Sequence, residues 1–423
     1  MLLLAALLPA FADPADDPWL ELRAHVARAH QVDQVQGLHP SGLADALQWP
    51  WEDELDEALR ERLGPELEAT EGAWRPGWAV RPLAWTSEGP LEPSYQDGDA
   101  EPGLLSIRAG VEASAWSGPV EARVVALGRV DAWEHDAVGL GVEQWRLGVR
   151  TTGFWAAMSQ ESRWIGPGRQ GALLLTDNAR PLPGGEIGAT WRFPGRGDRL
   201  GRFAAQLALG WIPEARRGPD RPGWLAVDLR WQPVPWIEAG ATRRALFGGY
   251  DDGELRPIDL GQLILPTRPH VEDDPERLEH DSDEAASLDL RVSAPIGRWL
   301  DLPVDYVELY VQHGGEDIIA RSLGPLPWPS LAGVANLYGA GLAGGPWFAR
   351  VEHAVIEDDV FRWYVGHRLY HDGWTHHGRV MGHARGGDAR SWQVRVVMKR
   401  VCLLLISSAC MRAMPIRVTG RSK

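Results

Sequence analysis

The chain has 423 residues and a formal net charge of −15, with 58 acidic side chains against 43 lysines and arginines. That balance excludes nucleic acid as a partner, because phosphate binding needs a basic surface. No apolar run approaches the roughly 18 residues of a spanning helix, which excludes a helical membrane protein but leaves open several soluble domains or one large β-barrel.

The N-terminus, Met1 to Asp13, has a short leucine-rich core followed by Ala10-Phe11-Ala12. This is the small-residue pattern of a signal-peptidase site, so residues 1–12 are expected to be a signal peptide cleaved after Ala12. Residues 13–103 are expected to be a helical region. In "WLELRAHVARAHQVDQVQGL", Leu20, Leu22, Val26, Ala29, Val32 and Val35 recur at helical spacing until Gly37, and a second charged helix after the Pro50 break ends near Gly64. The pair is too short to be stable alone and needs a larger body to pack on.

From Gly103 onward the hydrophobic period changes to two, and residues 104–397 are expected to form a barrel. Leu105, Ile107, Ala109, Val111, Ala113 and Ala115 alternate with Ser106, Arg108, Glu112 and Ser114. The same division recurs at Trp145, Leu147 and Val149 against Gln144, Arg146 and Arg150, and at Leu288, Leu290 and Val292 against Asp289 and Arg291. One apolar and one charged face, repeated over many strands that end in tryptophan, suits a sheet between lipid and a wet lumen better than a soluble sandwich. The 22 tryptophans, against seven Phe and seven Tyr, suit bilayer interfaces and stacking on ligands. Two polar stretches, 249–262 and 270–287, read as long extracellular loops; the acidic run in the second reads as solvated, without the ligand spacing of a calcium loop.

Both cysteines, Cys402 and Cys410, lie beyond the alternating region, so no disulfide, thiolate nucleophile or cysteine metal site exists before them. No phosphate-cradling glycine loop, zinc-protease helix or serine elbow is present. The segment "GHRLYHDGWTHHGRVMGHARGGD" gathers His367, His371, His376, His377 and His383. Strand alternation puts His376 and His377 on opposite faces, which favours a hydrogen-bonded network over a metal site. No metal or cofactor is expected.

Two motifs carry a family resemblance. "FWAAMSQESRWIGPGRQGALLLTDNARPLPG" and, later, "GHRLYHDGWTHHGRVMGHARGGDAR" resemble, in order and separation, the signature segments of Wzi-type capsule assembly proteins. The likeness extends to the "ALQWPWEDEL" junction and spans most of residues 19–390. It implies an all-β fold, an outer-membrane barrel of about 16–18 antiparallel strands, with the helical region on its periplasmic side. It also implies an extracellular lectin surface that tethers capsular or other surface polysaccharide, and no catalysis. The implied partners are that polysaccharide and outer-membrane lipid, for a monomeric chain.

The candidate polysaccharide-binding residues are Arg163, Trp164, Arg169, Asp177, Asn178, Arg180, Arg379 and His383. Arginine forks suit uronate carboxylates, amides suit sugar hydroxyls, and indole faces suit stacking. For the Asp-Asn-Ala-Arg-Pro part, knitting a folded-in loop to the barrel wall is a competing role. A porin-like channel or export conduit is the alternative function, separated by ionic conductance; an enzyme acting on glycan or lipid is a third. The tail 398–423 departs from the family pattern: it holds both cysteines, both lysines and no acidic residue. It reads as foreign, in the manner of a frameshift.

Overall fold

A computed structural model describes residues 77–87, 105–117, 119–132, 138–151, 153–168, 171–192, 200–234, 236–251, 254–255, 282–294, 296, 304, 306–323, 326–344, 347–356, 363–365 and 367–398. The signal peptide, both expected helices, Arg169, the acidic run of 270–281 and the tail from 399 lie outside them.

The strands, in chain order, are β1 (Gly77–Ser87), β2 (Leu105–Ser117), β3 (Val120–Ala132), β4 (Val138–Thr151), β5 (Phe154–Glu161), β6 (Leu182–Arg192), β7 (Arg202–Trp211), β8 (Gly223–Val234), β9 (Ile237–Phe247), β10 (Tyr250–Asp251) and β11 (Glu254–Leu255). They continue with β12 (Asp283–Ala294), β13 (Tyr306–Leu323), β14 (Leu326–Gly344), β15 (Trp347–Ile356), β16 (Thr375–His376), β17 (Arg379–Val380) and β18 (Ala389–Met398). Fourteen of them form one sheet, β1 to β9 followed by β12 to β15 and β18, each antiparallel to its neighbours. The two small pairs, β10–β11 and β16–β17, stand apart.

Three expectations change. Among the described residues the sheet begins at Gly77, inside the region read as helical, and β1 stands at its end with β2 alone beside it, a position that tolerates Pro82. Residues 283–287, read as loop, belong to β12, where Asp283 and Ser287 face inward. Among the described residues there are fourteen sheet strands rather than 16–18, and β1 and β18 are not paired with each other.

The sheet is dressed inside out. Leu288, 60% exposed, and Leu290, 44% exposed, project from one face of β12, while Asp289 and Arg291 between them are buried. On β13 Leu309 is exposed and Glu308 and Gln312 are buried; on β4 Leu147 and Val149 are exposed. The interior charges are ordered by pairing, as burial requires. Arg146 on β4 bridges Glu121 on β3 at 2.6 Å, Glu161 on β5 at 3.0 Å and Glu186 on β6 at 2.6 Å. Arg230 on β8 joins Asp228 at 2.9 Å to Asp289 on β12 at 2.5 Å, and Glu308 on β13 lies between Arg291 and Arg350 at 3.6 and 3.3 Å. These pairs tie strands one or two apart in the sheet along the charged face.

Aromatic residues edge the apolar face. Trp191, Phe203 and Trp231 stack in series across β6, β7 and β8, and Trp211 is exposed at the opposite end of β7. Phe203 to Trp211 spans about 27 Å along the strand at about 3.4 Å per residue, or about 21 Å after a strand tilt of about 40°. On the far part of the sheet Tyr338, His353 and Trp392 stack across β14, β15 and β18.

The two ends of the sheet differ. Two-residue links at 118–119, 152–153, 235–236 and 345–346 lie at one end, where β1 also begins, together with the links 193–201 and 295–305. The long connections 162–181, 212–222 and 357–388 lie at the other. There the β13–β14 hairpin also outgrows its neighbours, pairing through Leu323 and Leu326 while β12 pairs only as far as Gly315.

Candidate functional site

The long-connection end holds the apolar core. Ile165, Leu173 to Leu175, Trp363, Tyr364, Tyr370, Trp374 and Met381, all from connections, pack with Trp224, Leu246, Leu337 and Ile356 from the wall. The segment 162–181 leaves β5 and crosses the concave face. It is received by strands remote in sheet order: Arg244 on β9 donates to Leu174 O at 2.7 Å, Arg291 on β12 to Pro167 O at 2.7 Å, and the Leu173 N–H to Gln312 Oε1 on β13 at 2.9 Å. A flat sheet could not bring β5 and β13 to one segment, so the sheet curls around it. The triple leucine is thus neither a wall strand nor exposed; it is the plug's own core.

Segment 363–388 completes the plug. Tyr364 donates its hydroxyl to Leu173 O at 2.8 Å, and Thr176 donates its N–H to Met381 O and its hydroxyl to Gly382 O. Trp363 Nε1 donates to Gly333 O on β14, and the Tyr370 hydroxyl to Gly248 O after β9. Arg244 is the common node: fully buried, 3.0 Å from Glu316 and lying over the rings of Tyr364 and Trp374 at 5.1 and 4.4 Å. Such a buried guanidinium is stable because carboxylate, carbonyl and two π faces replace its hydration.

The third connection, 212–222, clips on from the side. Arg216 donates to Thr375 O at 2.6 Å and to Gly373 O, Arg217 donates from both its N–H and its guanidinium to Asp372, and Glu214 accepts from the His377 N–H at 2.7 Å. The two segments named by sequence motifs and this unremarkable third one therefore form one unit.

The candidate residues divide by depth. Arg163 is half-buried with its side chain covered: it donates to Ser159 Oγ, Glu161 O and Leu182 O, stands 3.5 Å from Glu186 and stacks over Trp224 at 4.9 Å. Trp164 turns its indole N–H to Gly168 O at 2.9 Å, closing the Gly-Pro-Gly bend. Asn178 is buried, with Nδ2 donating to Val380 O at 2.8 Å; Asp177 sits half-buried beside it. Arg180 offers its carbonyl to His376 Nδ1 at 3.1 Å, and Arg379 pairs with His376 across the β16–β17 hairpin. His383 is buried, its N–H donating to the Tyr364 hydroxyl at 3.0 Å; loss of hydration, with the Arg385 charge, pushes its imidazole down to about 3. Among the described residues these candidates share the two interlocked segments; Asn178 and His383 are buried, and Trp164, Asp177, Arg180 and Arg379 are half-buried.

The exposed rim is different. Arg217, 80% exposed, and Arg221, 65% exposed, stand on the 212–222 connection. Tyr250 is joined to Asp220 by backbone hydrogen bonds, and Arg368 and His371 are exposed on the adjoining segment. Of these, His371 is named in the sequence among the clustered histidines; Arg217, Arg221, Tyr250 and Arg368 are not named there as candidates. Only chain folding gathers them, since they come from three connections distant in sequence, of which only 363–388 carries a motif.

The expectation that His376 and His377 point to opposite faces is wrong. They occupy the end of a two-residue hairpin in which His377 and Gly378 both have positive φ, 51° and 76°. Period-two alternation fails at such a turn, and the two rings stand 4.4 Å apart.

The description of the family "Capsule assembly protein Wzi" matches residues 91–399. A solved Escherichia coli structure, described as Wzi, an outer membrane protein involved in group 1 capsule assembly and a carbohydrate-binding β-barrel, aligns with a TM-score of 0.54 at 18% identity. The alignment covers 91% of this chain and 80% of that one, which establishes likeness of fold. A second structure, the in-vitro folded outer membrane protein OmpT of Vibrio cholerae, covers 66% of this chain and 84% of its own at 12% identity, with a TM-score of only 0.26. No curated protein matches the chain. From the match over residues 91–399, on strands and plug together, this chain belongs to the Wzi capsule assembly protein family.

Proposed function

We propose that the protein is a plugged outer-membrane barrel that holds surface polysaccharide at the cell, and that it binds rather than transforms its ligand. The observation that carries this reading is the union of an apolar outer face with a concave charged face closed by three interlocked connections. Exposed leucines alternating with buried ion pairs are what a wall between lipid and water needs, and a sheet edge in lipid is costly unless the wall closes. The E. coli relative is described as binding carbohydrate, which supports the same ligand class here.

The orientation follows from loop length. Short turns of outer-membrane barrels face the periplasm and long ones the exterior, so the plug lies on the outside. Residues 13–76 then lie on the periplasmic side, where β1 starts, and 1–12 serve export. The altered composition from 398 coincides with the end of the family match at 399, which supports reading the tail as foreign to the pattern.

The ligand-contacting surface is assigned to the exposed rim, Arg217, Arg221, Tyr250, Arg368 and His371, with Arg163, Asn178, Arg180 and His383 holding the platform beneath it. Basic groups around an aromatic side chain suit an acidic polysaccharide: guanidinium forks meet carboxylates, and a ring meets a sugar face. A conduit is the poorer reading, because segments 162–181 and 363–388 both cross the concave face. The test is the ratio of cell-associated to released polymer in the producing bacterium. Deletion of the gene should shift polymer to the medium without lowering its synthesis, and Arg217→Ala with Arg221→Ala and Arg368→Ala should do the same at normal protein level. Unchanged retention in both strains would remove the anchoring role.

A further inference from the structure

The rim carries a second set of groups that polysaccharide contact does not use. One ligand atom from each of Glu214, His376 and His377 lies within 4.8 Å of the others. Glu214 comes from the 212–222 connection and the two histidines from the β16–β17 hairpin, so the cluster spans the junction between two segments distant in sequence.

The arrangement of each group is that of a metal ligand. His376 Nδ1 faces Arg180 O at 3.1 Å, and because a carbonyl can only accept, that nitrogen carries the hydrogen. This leaves a lone pair on Nε2, which is buried and has no hydrogen-bond partner, in a residue only 3% exposed. A buried nitrogen without a partner is an uncommon expense in a folded protein. Fixing the tautomer through a backbone carbonyl is how proteins orient imidazole toward a metal. His377 Nδ1 stands 3.6 Å from Glu214 Oε2, close to the edge of about 3.4 Å expected between two ligands on a tetrahedral ion with bonds of about 2.0–2.1 Å. Arg216 occupies the other carboxylate oxygen, Oε1, at 3.3 Å, and the His377 N–H orients Oε2.

We propose that Glu214, His376 and His377 bind a zinc-class divalent cation, which pins the 212–222 connection to the 363–388 segment at the outer surface. Two imidazoles and one carboxylate select a borderline ion over magnesium or calcium, which take oxygen ligands. The half-exposed position of His377 leaves the fourth coordination position to water. His376, through Arg180, couples the ion to the Asp-Asn-Ala-Arg-Pro segment, so all three connections meet at it. Spacing along the chain could not reveal this, because adjacent histidines converge only at a turn and the carboxylate lies over 160 residues away.

The test uses the full chain without a histidine tag, stripped with chelator and held in detergent micelles. Calorimetric titration with zinc chloride is expected to show one equivalent bound, and cobalt(II) chloride to give the intense visible absorption of a four-coordinate ion. Glu214→Gln and His377→Ala should each weaken zinc at least tenfold and abolish the cobalt band. His313→Ala, at an exposed histidine on β13 outside the cluster, should leave both unchanged. Glu214 and His377 are chosen because both reach solvent; heat-modified electrophoretic mobility verifies that each variant is folded. Absence of zinc binding in the folded parent chain, or binding that persists unchanged in both cluster variants, overturns the proposal.

Discussion

Arg163 shows what a motif residue does when the chain folds over it. Its guanidinium meets Glu186, a serine hydroxyl, two carbonyls and the Trp224 ring. Arg163→Ala leaves Glu186 with Arg146 and Gln206 alone and opens a gap against Trp224. We expect a loss of about 3 kcal/mol, the scale of a broken buried pair, measured by reversible urea unfolding in detergent. Polymer retention per folded molecule should stay normal, unlike that of the rim variants. His383 makes a pH prediction. Its imidazole titrates near 6.5 when unfolded and about 3 when folded, so its contribution to stability is fully present above pH 6.5 and is lost as pH falls toward 3. Between pH 6.5 and 5, above most carboxylate titrations, His383 should make unfolding easier by up to about 1.4 kcal/mol per pH unit. His383→Gln should flatten that slope; an unchanged slope would show that another group sets it. Neither role was readable from residue type, since arginine and histidine serve ligands and hidden frameworks alike.

At the scale of the strand, alternation was the most legible feature and also the most ambiguous one. Val111, Leu147 and Leu288, which period two put on the apolar face, are exposed, and so are Leu209, Leu229 and Leu309. Pattern alone does not say which face is outside; the burial of Asp289, Arg291 and Glu308 does. Leu290→Arg therefore tests the polarity of the sheet. At mid-strand on the lipid face it should cost about 2–4 kcal/mol in phospholipid bilayers, whereas on a soluble protein's surface it would cost almost nothing. Irregular elements escaped the same reading. Pro82 disguised β1, and the His377-Gly378 turn reversed the expected placement of a side chain.

For the whole molecule, the decisive feature is that the interior is occupied. Segment 162–181 reaches Gln312, Arg291 and Arg244 across the concave face, and 363–388 fastens to it through Tyr364, Thr176 and Asn178. An occupied interior obstructs ion flow. In planar bilayers the folded protein should show conductance far below that of an open pore of similar strand number, and sustained porin-like currents would contradict the plug. Weakening it through Arg244→Ala, which removes the Glu316 pair and both ring contacts, should raise the current while the wall strands persist, measured on the same bilayers.

The sequence by itself determined the class of the protein. Period-two alternation of apolar and charged residues dictates a two-faced sheet, and the two long motifs mark the family. Only the tertiary structure decided which side of each residue matters. Depth is set by long-range packing: Arg244 becomes a central node because Leu174, Glu316, Tyr364 and Trp374 converge on it from separate connections. For the same reason motif residues such as Asn178 and His383 became buried, while Arg368 of the second motif and Arg217 and Arg221, which no motif announced, came to the surface.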